Sequence, residues 1–446
     1  MHYESHLGSV LIKLRSPHDR AIFTLALPAL GSLAADPLVS LVDTAFVGRL
    51  GPEALAALGV NAALFNAAFF VFNFLAYGTT PLVGSAHGRG DARAAGRWAW
   101  QALLLAAALG LCTTLALLTF SGPLLGVMGA DAALKPLAAE YLLARAWAGP
   151  AVLLITAVNG IFRGLQNTRL PFYVTLGVSL VNLCLDPLFI FGFGLGVRGA
   201  ALATVIAQWL GALTFLILLF RTEDLRLSPT WPGFKTFAPF LKIGWELLLR
   251  SASLIAIFTL ATAVAARLGI LEVAVHQVIF QLWLFLALVV DALAIAAQAL
   301  IARYLGENDV VKAKGAADRL LFLGLLFGAF LAGLFWLLKD RLPQLFSNDP
   351  AVLAGTQGLY MFVVLVQIVN AVVFVFDGVY IGAGRFRFLA LAMLGTALPV
   401  ALLLLLVEPL GWGLTGIWWL LTVFMLLRLA LLGTVYWQRD VLTAEP

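Results

Sequence analysis

Five side chains in the first half of this sequence are of types that could bind a cation together: Asp43, Tyr141, Asn182, Asp186 and Thr204, each set in a long apolar run. A charge at the centre of a lipid bilayer costs roughly 2.5 to 3.5 kcal/mol on insertion scales, so a carboxylate kept there faces a polar cavity and does work. Two carboxyl groups brought together in such a place cannot both ionise cheaply and titrate as a coupled pair. They take up a proton, or a sodium ion at Asp43, Asn182 and Asp186 if the remaining oxygens complete the shell that a hard cation wants. One pH unit of gradient is worth about 1.4 kcal/mol per proton, enough to drive a conformational cycle when added to a membrane potential.

The elements that hold these residues follow from composition. With 62% hydrophobic and 11% charged residues in 446, and a mean hydropathy of +1.00, there are too few polar side chains to cover a water-soluble surface. The apolar runs are of helical rather than barrel-strand length, and they predict an all-α integral membrane protein. Twelve membrane helices are expected, near 21–48, 54–86, 98–120, 135–162, 171–194, 199–220, 241–266, 272–303, 319–338, 355–383, 388–407 and 411–436. Basic residues crowd the connections on one side, among them Lys13, Arg15, Arg89, Arg93, Arg163, Arg303, Lys312, Arg385 and Arg439. Only Arg49, Lys135, Arg198, Arg267, Lys339 and Arg341 fall on the other. The positive-inside rule places both termini in the cytoplasm, and the net charge of +5 reflects this topology rather than nucleic-acid binding. The first run continues past Ala34 and Ala35 and carries Asp36 and Asp43, unlike a cleavable leader. Cys112 and Cys184 lie in apolar runs without partner spacing and are expected as inert packing residues.

An internal repeat organises the chain. Arg49-Leu50-Gly51 recurs as Arg267-Leu268-Gly269, Leu82 to Asp91 as Leu300 to Asp309, and Gly160, Gly164 and Arg169 as Gly378, Gly382 and Arg387. Gly194, Gly196 and Gly199 recur as Gly411, Gly413 and Gly416, so the offset stays at 218 or 217. Six helices per copy make the halves parallel repeats: two six-helix bundles about a pseudo-two-fold axis along the membrane normal, with a central cavity, as in transporters. The lobes are residues 1–221 and 240–446, joined by a cytoplasmic linker at 222–239. The acidic pair belongs to one lobe only, since Asp43 maps to Ala261 and Asp186 to Leu403. Asp291 and Asp377 map to Asn73 and Asn159, so these positions stay polar in both copies. Counting helical rise puts Asp43 and Asp186 at one level, roughly 10 to 12 Å below the outer face, with Tyr141, Asn182 and Thr204 nearby.

The segment Pro37 to Gly51, the run Asn182 to Gly192 and the Gly-rich turn before Thr204 resemble the multidrug and toxic compound extrusion (MATE) family, in its DinF-like branch. The resemblance spans the whole chain. It implies an antiporter that exports organic compounds, commonly amphipathic cations, in exchange for H⁺ or Na⁺, with Asp43, Tyr141, Asn182, Asp186 and Thr204 as the cation site. Asp36, Asp291 and Asp377 are candidates for the substrate path, and Asp377 is alternatively expected to pair with Arg385 or Arg387. His87 and His276 are expected to be structural, and the phenylalanines from Phe65 to Phe74 to serve packing or line the cavity. No cofactor beyond the coupling ion is implied. The partners are a small organic substrate and the lipid bilayer, the chain is expected as a monomer, and a bacterial inner membrane is the expected location. The sequence carries no nucleophile motif, metal cluster or phosphate-binding loop, which argues against an enzyme or an ATP-driven pump. An organic-anion exporter (citrate or phenolic) or a lipid-linked precursor flippase of the same architecture is the nearest rival. Arg145 and Arg250 would be its cavity cations.

Overall fold

In the computed structural model, residues 16–227, 233–438 and 441–442 are described. Twelve of their helices are long and apolar enough to cross a membrane: α1 Asp19–Gly48, α2 Pro52–Gly88, α3 Ala92–Thr119, α4 Leu134–Gly164, α5 Arg169–Gly192, α6 Gly196–Phe220, α7 Lys235–Leu268, α8 Ile270–Gly306, α9 Val310–Leu337, α10 Pro350–Gly382, α11 Phe386–Leu404 and α12 Gly413–Gln438. Within these spans α2 tightens at Val71–Asn73 and α4 at Ala146–Ala148. A wide turn, Leu188–Gly192, ends α5 directly after Pro187. Proline has no N–H to continue the ladder, so the backbone loosens where the sequence puts it. Of the residues behind the topology expectation, Lys13, Arg15 and Arg439 lie outside the described residues, as do linker residues 228–232.

The repeat is written in the backbone. Gly194 and Gly196 take φ of 65° and 55°, and Gly411 and Gly413 take 65° and 59°, a left-handed pairing that glycine adopts without penalty. Asp91 caps α3 by accepting from Ala94 N at 2.8 Å, and Asp309 caps α9 from Lys312 N at 2.8 Å. Asp349 caps α10 in the same way, and Asp131 accepts from Leu134 N at the start of α4. Tertiary contacts repeat too: Gly160 lies on the Ala76 carbonyl where α4 crosses α2, and Gly378 on the Ala294 carbonyl where α10 crosses α8. Burial refines one mapping. Asp186 is fully buried, as is Leu404, whereas Leu403 is 38% exposed, so the counterpart of Asp186 is Leu404 rather than Leu403. The offset therefore holds at 218 through Asp186 and becomes 217 beyond the wide turn of α5.

The two lobes, α1–α6 and α7–α12, meet along α2–α8, α1–α8 and α2–α7. Gly84 packs on Ala302, its own repeat mate, and Gly88 on Arg303 and Gly306 on Ser85 reciprocally. These reciprocal contacts place the pseudo-two-fold axis between α2 and α8. They also lie near the ends of both helices on the face that carries Arg89 and Arg303, here called the basic face. On that face Arg319 binds Asp19 through two contacts of 2.6 and 2.8 Å, and Gln166 Nε2 donates to Ala299 O at 2.7 Å. The interlobe contacts Gly84–Ala302, Gly88–Arg303, Gly306–Ser85, Asp19–Arg319 and Gln166–Ala299 all lie toward the basic face.

Cys112 and Cys184 are free and exposed on the outside of their helices, not packed inside as the sequence suggested. An apolar run can present any residue to lipid, so hydropathy alone does not separate lipid contact from core.

A Cβ on Gly88 would collide with the Arg303 backbone, whereas one on Gly48 would meet open space. Gly88→Ala is expected to destabilise the protein by about 1 to 3 kcal/mol, read as a lower thermal unfolding midpoint in detergent, with Gly48→Ala unchanged.

Candidate functional site

Four helices of the first lobe bring the site together. Residues four apart on a helix share a face, and three such pairs point inward: Tyr141 and Arg145 on α4, Asn182 and Asp186 on α5, Thr204 and Gln208 on α6. Asp43 on α1 completes the group. Asp186 is wholly buried, Asn182 is 2% exposed and Tyr141 6%. The carboxyl groups of Asp43 and Asp186 lie within hydrogen-bonding reach of each other. Asn182 Nδ2 donates to Asp186 Oδ1 at 3.3 Å and to Thr204 Oγ1 at 3.5 Å, while Thr204 donates its own proton to Ala200 O at 2.9 Å.

Three oxygens in this group, Asp43 Oδ1, Asp186 Oδ2 and Asn182 Oδ1, are buried and receive no hydrogen bond. Buried acceptors left this way cost free energy unless something supplies positive charge or a donor. A proton between the carboxyl groups does so, and so does a small cation among the oxygens. The sequence did not place Arg145 in this group. Its guanidinium lies in the electrostatic field of Asp43 and Tyr141, donates from Nη1 to Gln208 Oε1 at 3.0 Å, and sits 5.2 Å from the centroid of the Phe65 ring. Two carboxylates and one guanidinium sum to a single negative charge, which one monovalent cation neutralises. The spacing of Arg145, one turn after Tyr141, was the available signal. Phe65 itself is buried and stacks on Phe69 at 5.9 Å, so its face serves an internal cation.

The structure gathers Asp43, Asn182, Asp186 and Thr204 directly, with Tyr141 joined through Arg145. Asp36 lies on α1, but its side chain is outside the described residues. Asp291 and Asp377 are elsewhere, in a second charged cluster of the C-terminal lobe nearer the basic face. Asp377 Oδ2 accepts from Arg250 at 2.5 Å and from Arg428 at 2.6 Å, and it is 4% exposed. These partners replace Arg385 and Arg387, to which proximity in sequence had pointed. Asp291 lies among Tyr77, Arg163 and Arg250. Arg163, in the last turn of α4, lies in the electrostatic field of Tyr77 and of Asp291 in the other lobe. Arg428 was missed although it stands in an apolar run, where a lone charge always demands a partner. The cluster is specific to its lobe, for the repeat mates of Arg250 and Arg428 are Ser32 and Gly211. His276 is buried and its Nε2 meets Thr262 Oγ1 at 3.1 Å, in keeping with a structural role.

A family profile described as MatE matches this chain twice, at residues 28–188 and 247–407, once in each lobe. Among curated proteins, Protein DETOXIFICATION 44, chloroplastic, of Arabidopsis thaliana is 36% identical over 92% of this chain and 80% of its own length. DNA damage-inducible protein F of Escherichia coli (strain K12) is 30% identical over 94% of this chain and 92% of its own. The crystal structure of a MATE protein in a bent conformation superposes with a TM-score of 0.88 at 21% identity, covering 95% of this chain and 96% of that one. A solved structure described as the outward-facing conformation of a multidrug resistance MATE family transporter gives a TM-score of 0.82 at 22% identity, covering 96% of each chain. These structures share the fold.

Removing one member of a buried ion cluster leaves an uncompensated charge. Asp377→Asn leaves both Arg250 and Arg428 without their shared carboxylate and is expected to lower stability by about 3 kcal/mol, more than Arg428→Met, which keeps the Arg250–Asp377 pair. Thermal unfolding of the purified single variants checks this.

Proposed function

The chain belongs to the MatE family of multi-pass membrane transporters, and we propose that it expels an organic compound in exchange for one proton bound between Asp43 and Asp186. The observation that carries this reading is the pair of facing carboxyl groups whose buried oxygens, Asp43 Oδ1 and Asp186 Oδ2, have no donor. With Arg145 beside them the empty site holds one net negative charge, and a single proton both neutralises it and bonds the two carboxyl groups. Loss of that proton sets like charges against each other and pushes α1 away from α5. Because α1 also packs on α8 of the other lobe, a shift of α1 alters the shape of the cleft. A ligand drives such a change only by binding the two shapes unequally, and a proton that bridges α1 to α5 meets that condition.

With the basic face cytoplasmic, as the positive-inside rule indicates, the cleft opens outward and proton entry supports export. Each pH unit contributes about 1.4 kcal/mol and each 100 mV of potential about 2.3 kcal/mol per charge moved. On this reading, in a bacterial cell the protein works in the inner membrane, across which such gradients stand.

A second reading concerns the cargo. Arg163, Arg250 and Arg428 outnumber Asp291 and Asp377 in the inner half of the molecule, and Arg250 Nε is buried without a partner. That imbalance favours a cargo bearing a carboxylate over a purely cationic drug, and it supports the organic-anion alternative.

Transport into everted vesicles tests both readings. An imposed pH gradient is expected to drive uptake, about tenfold per unit at equilibrium, and a sodium gradient alone is not. Asp43→Asn and Asp186→Asn should each abolish the dependence on the gradient, and retention of it by both variants would overturn the proposal. Citrate and a lipophilic cation, supplied in parallel as labelled cargo, separate the two substrate classes.

A further inference from the structure

On the bilayer side of the seam where α1 meets α8 and α9 lies a groove of about 310 Å³, bordered by Phe23, Leu27 and Leu30 of α1, Ala292 of α8, and Phe327 and Phe330 of α9. Its floor is closed protein. Ile22 and Leu25 are buried behind it, and the His18 ring meets that of Tyr304 edge to face at 5.9 Å. Its rim is open, for Leu27 is 63% and Phe330 62% exposed. Both lobes contribute walls, and every described residue that borders the groove is apolar.

The ion pair between Asp19 and Arg319 fixes its depth, because it ties α1 to α9 at one level and both helices run on from there in the same sense. Phe23 and Leu30 follow Asp19 by four and eleven residues, and Leu323 and Phe330 follow Arg319 by the same counts. At 1.5 Å of rise per residue the groove lies roughly 6 to 17 Å deeper than the pair. That is one leaflet's share of a hydrocarbon core about 30 Å thick. Arg20 stands at the mouth. It is exposed, enters no ion pair among the described residues, and lies two turns before Leu27 on the same face of α1.

The side of the seam related by the repeat has neither feature. There the Phe74 ring, mate of Ala292, lies against Gly244, mate of Ala26, and Ala238 stands in the place of Arg20. Groove and cation therefore occur together, at the two depths where a lipid keeps its chain and its headgroup.

We propose that this groove binds one anionic phospholipid from the leaflet on the basic face, with an acyl chain along Phe23, Leu27 and Phe327 and the phosphate at Arg20. The groove accepts the chain because it is apolar throughout, and the charge of Arg20 selects a headgroup with net negative charge over a zwitterionic one. Since its walls belong to both lobes, the bound lipid bridges them and favours the seam as it stands over any shape that parts α1 from α9. The inference goes beyond the proposed exchange and depends on neither the coupling ion nor the cargo.

Phosphatidylglycerol with a photoreactive group in its acyl chain, supplied to the full chain in phosphatidylcholine nanodiscs, tests it. Adducts mapped by mass spectrometry are expected to concentrate on residues 23–30 and 323–330, and to exceed those of the same probe with a phosphatidylcholine headgroup about fivefold. Arg20→Gln, at an exposed position, should remove that preference and leave thermal unfolding unchanged. Ala292→Phe, which puts a ring where the repeat mate has one, should abolish the adduct with both headgroups; if that variant unfolds, Arg20→Gln decides. Even labelling of all lipid-facing helices, or an undiminished headgroup preference in Arg20→Gln, would overturn the assignment. So would displacement of the adduct by a lipophilic cation and not by unlabelled phosphatidylglycerol, which would make the groove a doorway for cargo.

Discussion

The contact on which the rest of the molecule depends is small residue against small residue, where α2 crosses α8 at Gly84 and Ala302. Lipid tails are as apolar as leucine, so two helices in a membrane gain nothing by hiding apolar surface from each other. They gain by close packing, which small residues permit. Gly88 and Gly306 extend the same crossing reciprocally, and Gly160 and Gly378 bring α4 and α10 down on its two helices. This glycine-lined centre fixes the axis, holds the basic face shut and sets how far apart the lobes stand elsewhere. A side chain added at Gly88 or Gly306 would force α2 and α8 apart.

On that shared frame the charges are not shared. The first lobe holds two carboxyl groups tempered by Arg145, a site short of one positive charge. The second holds Asp377 pinned by two guanidinium groups, with Asp291 and Arg163 close by. Neither arrangement of charges has a counterpart in the other lobe: apolar residues stand opposite the first, and the uncharged Asn73, Asn159, Ser32 and Gly211 opposite the second. Duplication thus supplies the scaffold, and departure from symmetry supplies the chemistry.

How much of this the sequence discloses depends on the range of each interaction. Helix number, the repeat and the layer holding Asp43, Asn182, Asp186 and Thr204 follow from apolar runs, glycine spacing and helical rise, all local quantities. The partners of Asp377 do not, since Arg250 and Arg428 are 127 and 51 residues away and only the packing of α7, α10 and α12 unites them. Arg163 was legible as a basic residue near a helix end, but not as one in the field of Tyr77 and, across the lobe boundary, of Asp291. Cys112 and Cys184 illustrate the converse limit, because in a membrane the apolar exterior and the apolar interior read alike. The one-residue difference between Leu403 and Leu404 could not be settled without burial, as both are leucine in an unbroken leucine run.

That one residue has a history. A wide helical turn is what remains when a single residue is inserted into an α-helix, and such turns gather at functional sites. The turn at Leu188–Gly192 accounts for the change of offset between the copies, so the two halves differ there by one inserted or deleted residue. Without the turn to absorb it, an extra residue would rotate everything beyond it by about 100° around the helix. The turn confines the change to the stretch beside Asp186 and leaves the glycine turn at Gly194 aligned with its ancestor's twin. The ion site and the scar of divergence are neighbours, which marks this stretch of α5 as a place where one duplicated bundle became different in kind from the other.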